Sequence, residues 1–498
     1  MKYSIKTLTG IFLLLLMVLH SCMDLEEVPL NRISPPTFYK TPDQCQSILI
    51  GTMAGHASTW GGHAYHPGWP DGTMDAGLNW AITANTGRWG THYASINNIN
   101  PVIKSILDGT LDSYAKSTVD DILAQAYFLR AFNHFTLVRM YGRVLYLDEN
   151  TPDLISNLPT PESREEVSVI YEKIESDLLK AIALMNPTLD PALPGRPNVW
   201  AAKALLARVY ITWATAPLKQ TAYYAKARDM AEDIITNSPF GFVEDIPEIF
   251  KVANVKNNPE FIWGYNSTSD YNLGIGCNFG PDDWGCWSSG GIRSLWADTY
   301  PEQPRKYSYV LTTFPRNLHL TDNPAEWIWI PYEEGGDHVP FMGKYCWPNV
   351  PREINIVEAP FDPPLPIFRY SDMLLVYAEA ANMANGGPTQ LAVDRVNMII
   401  DRANKPYTSV FGTLTTTPGT HPRVTMSMSA QEFDDKVMAE RVWELCFESE
   451  TFFDVIRKEK LYEVNEPDIT DHYKAGNNYL FPIPDLDALR IGQNSDYN

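Results

Sequence analysis

Basic residues are scarce in this chain: 39 Lys and Arg stand against 60 Asp and Glu in 498 residues, a formal charge of −21. Such a surface repels nucleic acid and anionic lipid, and no basic stripe interrupts it. Cysteine is scarce too, with six in all and no zinc-like spacing among them. Beyond Cys22 five remain, an odd number, so at least one is unpaired. Cys446 lies in an apolar helical pattern and reads as a buried thiol. One disulfide among Cys277, Cys286 and Cys346 is left open. No apolar run reaches the roughly 20 residues that a membrane-spanning helix needs. There is no Ser-His-Asp order, no Gly-rich phosphate loop and no metalloprotease motif. No cofactor is indicated, and a calcium ion held by loop carbonyls and Asp would leave no readable trace.

The apolar stretch that does exist runs from Ile11 to Leu19, behind Lys2 and Lys6. A positive start, a short apolar core and small residues at its end describe a secretory signal. Leu19-His20-Ser21-Cys22 resembles a bacterial lipobox, with Leu at −3, a small residue at −1 and the Cys that becomes the lipidated N-terminus. His20 is a less usual residue at −2. The plainer alternative is an ordinary signal with an incidental Cys. Removing residues 1–21 takes away two lysines and leaves 477 residues with 37 bases against 60 acids, or −23. Acyl chains contribute about 0.8 kcal/mol of membrane affinity per buried methylene, so an anchored protein needs no spanning helix.

Helical signals dominate the rest. Thr118 is a predicted cap with Asp121 in the first turn. Ala124, Phe128, Ala131, Phe135 and Val138 then step along one face to an end near Tyr141-Gly142. A second helix is predicted over about 164–185, a third in "NVWAAKALLARVYITWA" and a fourth in "AYYAKARDMAEDIIT". Ala202, Ala207 and Tyr210 on the third, and Tyr224, Ala227 and Ala231 on the fourth, permit close approach, as in tetratricopeptide repeats. A later pair repeats the theme: "FRYSDMLLVYAEAANMA" stops at Gly386-Gly387-Pro388, and "TQLAVDRVNMIIDRA" starts at Thr389. Ser429-Ala430-Gln431-Glu432 has a capping-box pattern. Two stretches lack this rhythm: 55–92, rich in Gly, His, Trp and Asn, and 260–365, rich in Gly, Pro and Trp. Irregular runs of this length are usually functional, and short strands, small helices and shaped loops are expected there.

These segments together resemble the SusD/RagB family of outer-membrane lipoproteins, nearly end to end. The resemblance rests on "EVPLNRISPPTFYKTPDQCQSILIGTM", "AQAYFLRAFNHFTLVRMYG", "GRPNVWAAKALLARVYI", "PIFRYSDMLLVYAEAAN", "ERVWELCFESETFFDVIRK" and the tail "LFPIPDLDALRIGQNSDYN". Glu450, Thr451 and Phe452 replace the His or Arg and Tyr common in the fifth motif, and Lys458 stands where Trp is common; these changes concern packing. The resemblance implies a mostly α fold: one domain over 22–498, with a tetratricopeptide-like scaffold mainly at 93–250 and 366–460. A loop-rich ligand face at 55–92 and 260–365 would complete it. It implies a non-catalytic lid that captures oligosaccharide and passes it to a SusC-like TonB-dependent outer-membrane barrel. Asp24, Glu26 and Glu27 after Cys22 resemble the surface-display signal of glycan-foraging Gram-negative bacteria. The implied location is therefore the cell surface, lipid-anchored in the outer membrane. A peptide or other nutrient is the alternative cargo.

A sugar offers C–H faces and hydroxyl edges, which match an exposed aromatic ring beside polar groups. In relatives, the loop before the helix near residue 90 often supplies a stacking Trp, so Asp75, Asn79, Trp80, Arg88 and Trp89 are candidates. Trp89 could instead pack under a helix starting at Thr91. Trp284 and Trp287 precede a helix in a Gly-rich loop and are candidates with Asp283; Asp282 and Asp283 could equally be turn residues. Leu295, Trp296 and Tyr300 read as core. Trp327 and Trp329 alternate with Ile328 and Ile330 on a half-buried strand, and one of the two Trp is expected at the surface. Glu440, Glu444 and Glu448 share a helical face and could in principle run glycoside hydrolysis. With Arg441 and Arg457 nearby, scaffold charge pairs explain them better. His56, His63, His66 and Asp71 could bind a metal but read as scattered polar loop residues.

Overall fold

Helices form where apolar residues recur at helical spacing and a short polar side chain caps the start. The computed structural model describes residues 38–63, 86–152, 154, 157–186, 188, 195–250, 258–265, 280–284, 288, 291–292, 294–317, 323–344, 365–408, 415–448, 450–460 and 480–494. Its first half contains α1 (Pro42–His63), α2 (Thr86–Leu107), α3 (Lys116–Tyr141), α4 (Val167–Leu184), α5 (Val199–Ala214), α6 (Tyr223–Asn237) and α7 (Ile246–Ile249). The irregular stretch follows with β1 (Phe261–Tyr265), α8 (Ser294–Thr299), α9 (Pro304–Tyr309), β2 (Val310–Leu311), β3 (Thr313–Pro315), β4 (Trp329–Pro331), β5 (Phe341–Met342) and β6 (Leu365–Arg369). Helices then resume as α10 (Tyr370–Asn385), α11 (Gln390–Asn404), α12 (Ala430–Glu444), α13 (Thr451–Arg457) and α14 (Asp485–Ile491). The fold is mostly α. Each long helix packs on its neighbours in turn: α2 on α3, α3 on α4, α4 on α5, α5 on α6, and α10 on α6, α11 and α12. No helix among the described residues is long and apolar enough to cross a membrane.

The structure departs from the sequence expectations at three places. Helix α3 begins at Lys116, two residues before Thr118, and no side chain caps Ala115. Its face of Ala124, Phe128, Ala131, Phe135 and Val138 is buried as expected, but so is nearly everything from Ile122 to Val138. Polar groups survive there by pairing. Arg130 meets Asp177 of α4 at 2.7 and 2.8 Å, and Asn133 Oδ1 lies 2.7 Å from His92 of α2. In the second departure, the 55–92 stretch is helical at both ends, through His63 and again from Thr86. In the third, Cys446 is buried but lies just past the end of α12.

Other boundaries follow their caps. Asn198 accepts from the backbone N–H of Trp200 and Ala201 at the start of α5. Gly386 ends α10 in the left-handed region at φ 73°, which an L side chain would resist. Thr389 caps α11, and Ser429 and Glu432 form a reciprocal capping box on α12. Gly142 ends α3 at φ 69°, and a Cβ there would come 2.6 Å from Leu480 Cδ1. This close approach lets the tail lie on α3, with the Phe481 N–H donating to the Met140 carbonyl at 2.7 Å.

Two buried ionic networks join these parts. In the first, four acids and four bases are each at most 8% exposed: Glu260, Glu440, Glu444 and Glu448 with Arg305, Lys344, Arg369 and Arg402. Arg369 lies 2.5 Å from Glu260, 3.0 Å from Glu444 and 2.8 Å from Glu448. Arg402 reaches Glu260 at 2.7 Å and Glu444 at 2.8 Å. Arg305 reaches Glu440 at 2.7 Å and Glu444 at 2.8 Å, and Lys344 reaches Glu448 at 2.7 Å. Burial alone would raise the Glu444 carboxyl; Arg402, Arg369, Arg305 and Lys344 outweigh it and hold the group far below the usual range. Glu440, Glu444 and Glu448 are therefore structural ion-pair partners.

The second network pairs Asp454 with Arg208 at 2.8 Å, Arg441 at 2.7 Å and Arg457 at 2.7 Å. It extends through Asp372, which Arg208 and Arg441 share, and Glu379, which Arg457 and Lys458 share. Arg441 and Arg457, the cations expected to serve the three glutamates, thus serve other acids. Seven residues is close to two full turns, so Asp434 and Arg441 of α12 share one face. Glu440 and Glu444 lie about a quarter-turn round the axis from it.

Removing one member of such a set leaves its partners buried and uncompensated. Glu444→Gln is expected to lower unfolding stability by about 3–5 kcal/mol, read as a shift in the urea midpoint. Acid should act through Glu379 as well. Burial would raise its carboxyl, but Arg457 and Lys458 lower it from 4.5 to about 2. The stability it contributes is full above the ordinary value and is lost as pH falls from 4.5 through about 2. Melting temperature should fall across that window, less steeply in Glu379→Gln.

Candidate ligand-binding face

The irregular stretch from β1 to β6 is the face that the helical scaffold carries, and short antiparallel pairs organise it: β1 with β6, β2 with β5, and β3 with β4. The β1–β6 pair leads directly into α10, because Arg369 ends β6 and Tyr370 opens the helix. The first ionic network fastens this face to the scaffold. Glu260 precedes β1, Arg305 lies in α9, Lys344 follows β5 and Arg369 ends β6, while Arg402 and Glu444 belong to α11 and α12.

A 3-10 turn over Asp282–Trp284 is clamped onto the β3–β4 pair. Trp284 is 3% exposed; its indole N–H donates to the Pro315 carbonyl at 2.9 Å, and its ring meets Phe314 edge-on. Asp283 accepts from the Gly336 N–H at 2.8 Å and lies 3.4 Å from Arg316 Nε. Asp337 accepts from the Asp282 N–H and from Ser288 Oγ. Gly335 leaves room for this packing: a Cβ would fall 2.8 Å from Phe314 Cζ and 3.0 Å from Asp283 Oδ2, so these side chains would have to shift.

The predicted site residues divide sharply. Arg88 and Trp89 lie within α2 and are buried, which corrects their assignment to a surface loop. The Trp89 ring meets Tyr93 and Tyr141 edge-on at 4.7 and 4.9 Å, so it staples α2 to the end of α3. Burial lowers the Arg88 guanidinium to about 10, opposed by Tyr141. Trp284 is likewise core, and Asp283 holds a turn. Neither Trp presents a free ring face in this arrangement. Asp75, Asn79, Trp80 and Trp287 lie outside the described residues, as do Cys22, Cys277, Cys286, Cys346, His66 and Asp71. Among the described residues no three metal-binding side chains gather. Trp296 and Tyr300 are core, as expected. The strand ambiguity resolves: Trp327 is buried, Trp329 is half-buried and Ile328 is 58% exposed. Half-buried Phe261, Trp329 and Tyr332, with exposed Tyr307, are the aromatics that reach the surface of this face among its described residues. Sequence reasoning did not single out Tyr307 or Tyr332, whose surroundings resemble ordinary loop sequence.

Stacked helix pairs carrying one irregular inserted stretch define a mostly helical scaffold with a loop-rich face. The chain belongs to the SusD/RagB family. Residues 359–486 match the model described as the SusD family, and residues 67–211 match one described as "Starch-binding associating with outer membrane". The chain is 26% identical to SusD-like protein P2 of Formosa agariphila, over 96% of each chain. Its fold is similar to that of a SusD homolog from Bacteroides thetaiotaomicron, at 19% identity and TM-score 0.71, covering 93% of this chain and 98% of that one. It is similar as well to a laminarin-binding SusD-like protein, at 19% identity and TM-score 0.70, covering 91% and 99%.

These placements predict a stability role for the two buried indoles. Trp89→Ala is expected to lower stability by about 3–5 kcal/mol. Trp284→Phe, which loses chiefly the bond to the Pro315 carbonyl, should lower it by about 1 kcal/mol. Denaturant unfolding of the purified variants measures both.

Proposed function

We propose that the protein is a lipid-anchored cell-surface protein that captures oligosaccharides and delivers them to a partner TonB-dependent barrel in the outer membrane, catalysing no reaction on them. The observation that carries this reading is the match of residues 67–211 to a family described as starch-binding and associated with the outer membrane. The likeness to a protein described as laminarin binding supports carbohydrate as the ligand class. The lipobox-like Leu19-His20-Ser21-Cys22 supports anchoring at Cys22. In this reading the stacked helices meet the barrel and the irregular face meets the sugar. Trp329 and Tyr332, together with Trp80 and Trp287, supply ring faces, each worth on the order of 1 kcal/mol beyond area burial. Asp75, Asn79 and Asp283 accept hydroxyl hydrogen bonds.

A glycan array tests the ligand, using the mature chain from Met23 and a Trp80→Ala/Trp287→Ala/Trp329→Ala variant. Specific binding that falls by about tenfold or more, in a variant whose melting is nearly unchanged, is the expected result; three lost stacking contacts predict at least that much. Binding to no sugar by a cooperatively melting protein would favour a peptide cargo, or a lid that binds only with its barrel. Fractionation tests the anchor: Cys22→Ser should move the protein from the outer membrane to the soluble fraction.

A further inference from the structure

We propose that the ligand face selects uncharged oligosaccharides and rejects glycans that carry uronate or sulfate groups. The inference rests on the glycan reading above and adds the charge class of the ligand. Residues 260–365 contain fourteen Asp and Glu against six Lys and Arg, and residues 55–92 contain two acids against one base. The fold then withdraws bases from the surface. Arg305 and Lys344 are fully buried in the first ionic network, Lys306 is 7% exposed and pairs with Glu302, and Arg88 is buried in α2. Arg293 and Arg352 lie outside the described residues.

Arg316 is the one exposed base of the stretch among the described residues. It is already engaged, facing Asp283 and donating to the Glu334 carbonyl. The acids point the other way: Asp282, Asp298, Glu302, Glu326, Glu333 and Glu334 are exposed. An anionic sugar is held by unengaged Arg or Lys donors, most tightly by bidentate pairing. On this face the described donors are turned inward or occupied. The remaining carboxylates repel an anion over a Debye length, about 8 Å at physiological ionic strength. A neutral sugar meets no such barrier, because its hydroxyls donate to carboxylates and its C–H faces stack on rings.

The test uses the mature protein and a Glu333→Gln/Glu334→Gln variant on immobilised oligosaccharides, at about 20 mM and about 300 mM NaCl to vary the screening. The neutral set is β-1,3-glucan, α-1,4-glucan, mannan and xylan; the charged set is pectate, alginate and chondroitin sulfate. Binding is expected within the neutral set, changed by less than about twofold between the two salts, with a signal at least about tenfold lower on the charged set at low salt. The variant should gain at least about threefold signal on the charged set at low salt and keep its neutral binding. A charged oligosaccharide that binds more tightly than every neutral one, and weakens as salt is added, overturns the inference and leaves the glycan reading standing. A variant that gains nothing on the charged set overturns the electrostatic basis. Binding to no carbohydrate, by protein that melts cooperatively, overturns the glycan reading itself and this inference with it.

Discussion

The pairing of Arg369 with Glu260, Glu444 and Glu448 is the contact on which the rest depends. It lies where the irregular face returns to the helices, and its partners come from both. Four acids and four bases cancel, so no net charge is buried, and each cation is held by carboxylates from distant parts of the chain. Such a set offers little net stability over an apolar core of the same shape. Its value is positional: guanidinium and carboxylate planes fix distance and angle together, which apolar contact does not. The β1–β6 pair that supports the irregular face is thereby set against α11 and α12 in one orientation.

The second network gives a reason for the residues that depart from the family pattern. Glu450 meets Arg139 of α3 at 2.6 Å, and Lys458 meets Asp434 at 2.6 Å and Glu379 at 3.4 Å. Thr451 donates from its hydroxyl to the Leu445 carbonyl. Charges that look anomalous in the motif are each matched by an opposite charge on a neighbouring helix. The Arg139 guanidinium also lies over the rings of Phe135 and Phe453, so the pair is embedded in aromatic packing.

What the sequence revealed was local. The ends of α5, α10, α11 and α12 were legible because Asn198, Gly386, Thr389 and Ser429 act on backbone groups within a few residues of themselves. The apolar face of α3 was legible because its period is intrinsic to the helix. What stayed hidden was set by distant partners. Gly87 and Gly90 make the start of α2 read as loop, yet Trp89 packs on Tyr141 and the helix forms across both glycines. Trp284 looked like a surface ring, but the carbonyl that receives its N–H belongs to Pro315, thirty-one residues on. Arg441 looked like a partner for its neighbouring glutamates because sequence distance hides which side of a helix a residue occupies.

The tail also constrains the order in which the molecule can assemble. The last turn of α3 is completed by Phe481 bonding to Met140, by Leu480 over Gly142 and by Glu450 pairing with Arg139. Arg164 likewise meets Asn494, 330 residues later. Contacts so far apart in sequence form late, because closing long loops costs entropy before any contact repays it. An early helix pair emerging from the ribosome therefore remains unfinished at one end until more than three hundred further residues have followed. The two ends of the fold therefore lock together only once the whole chain is present.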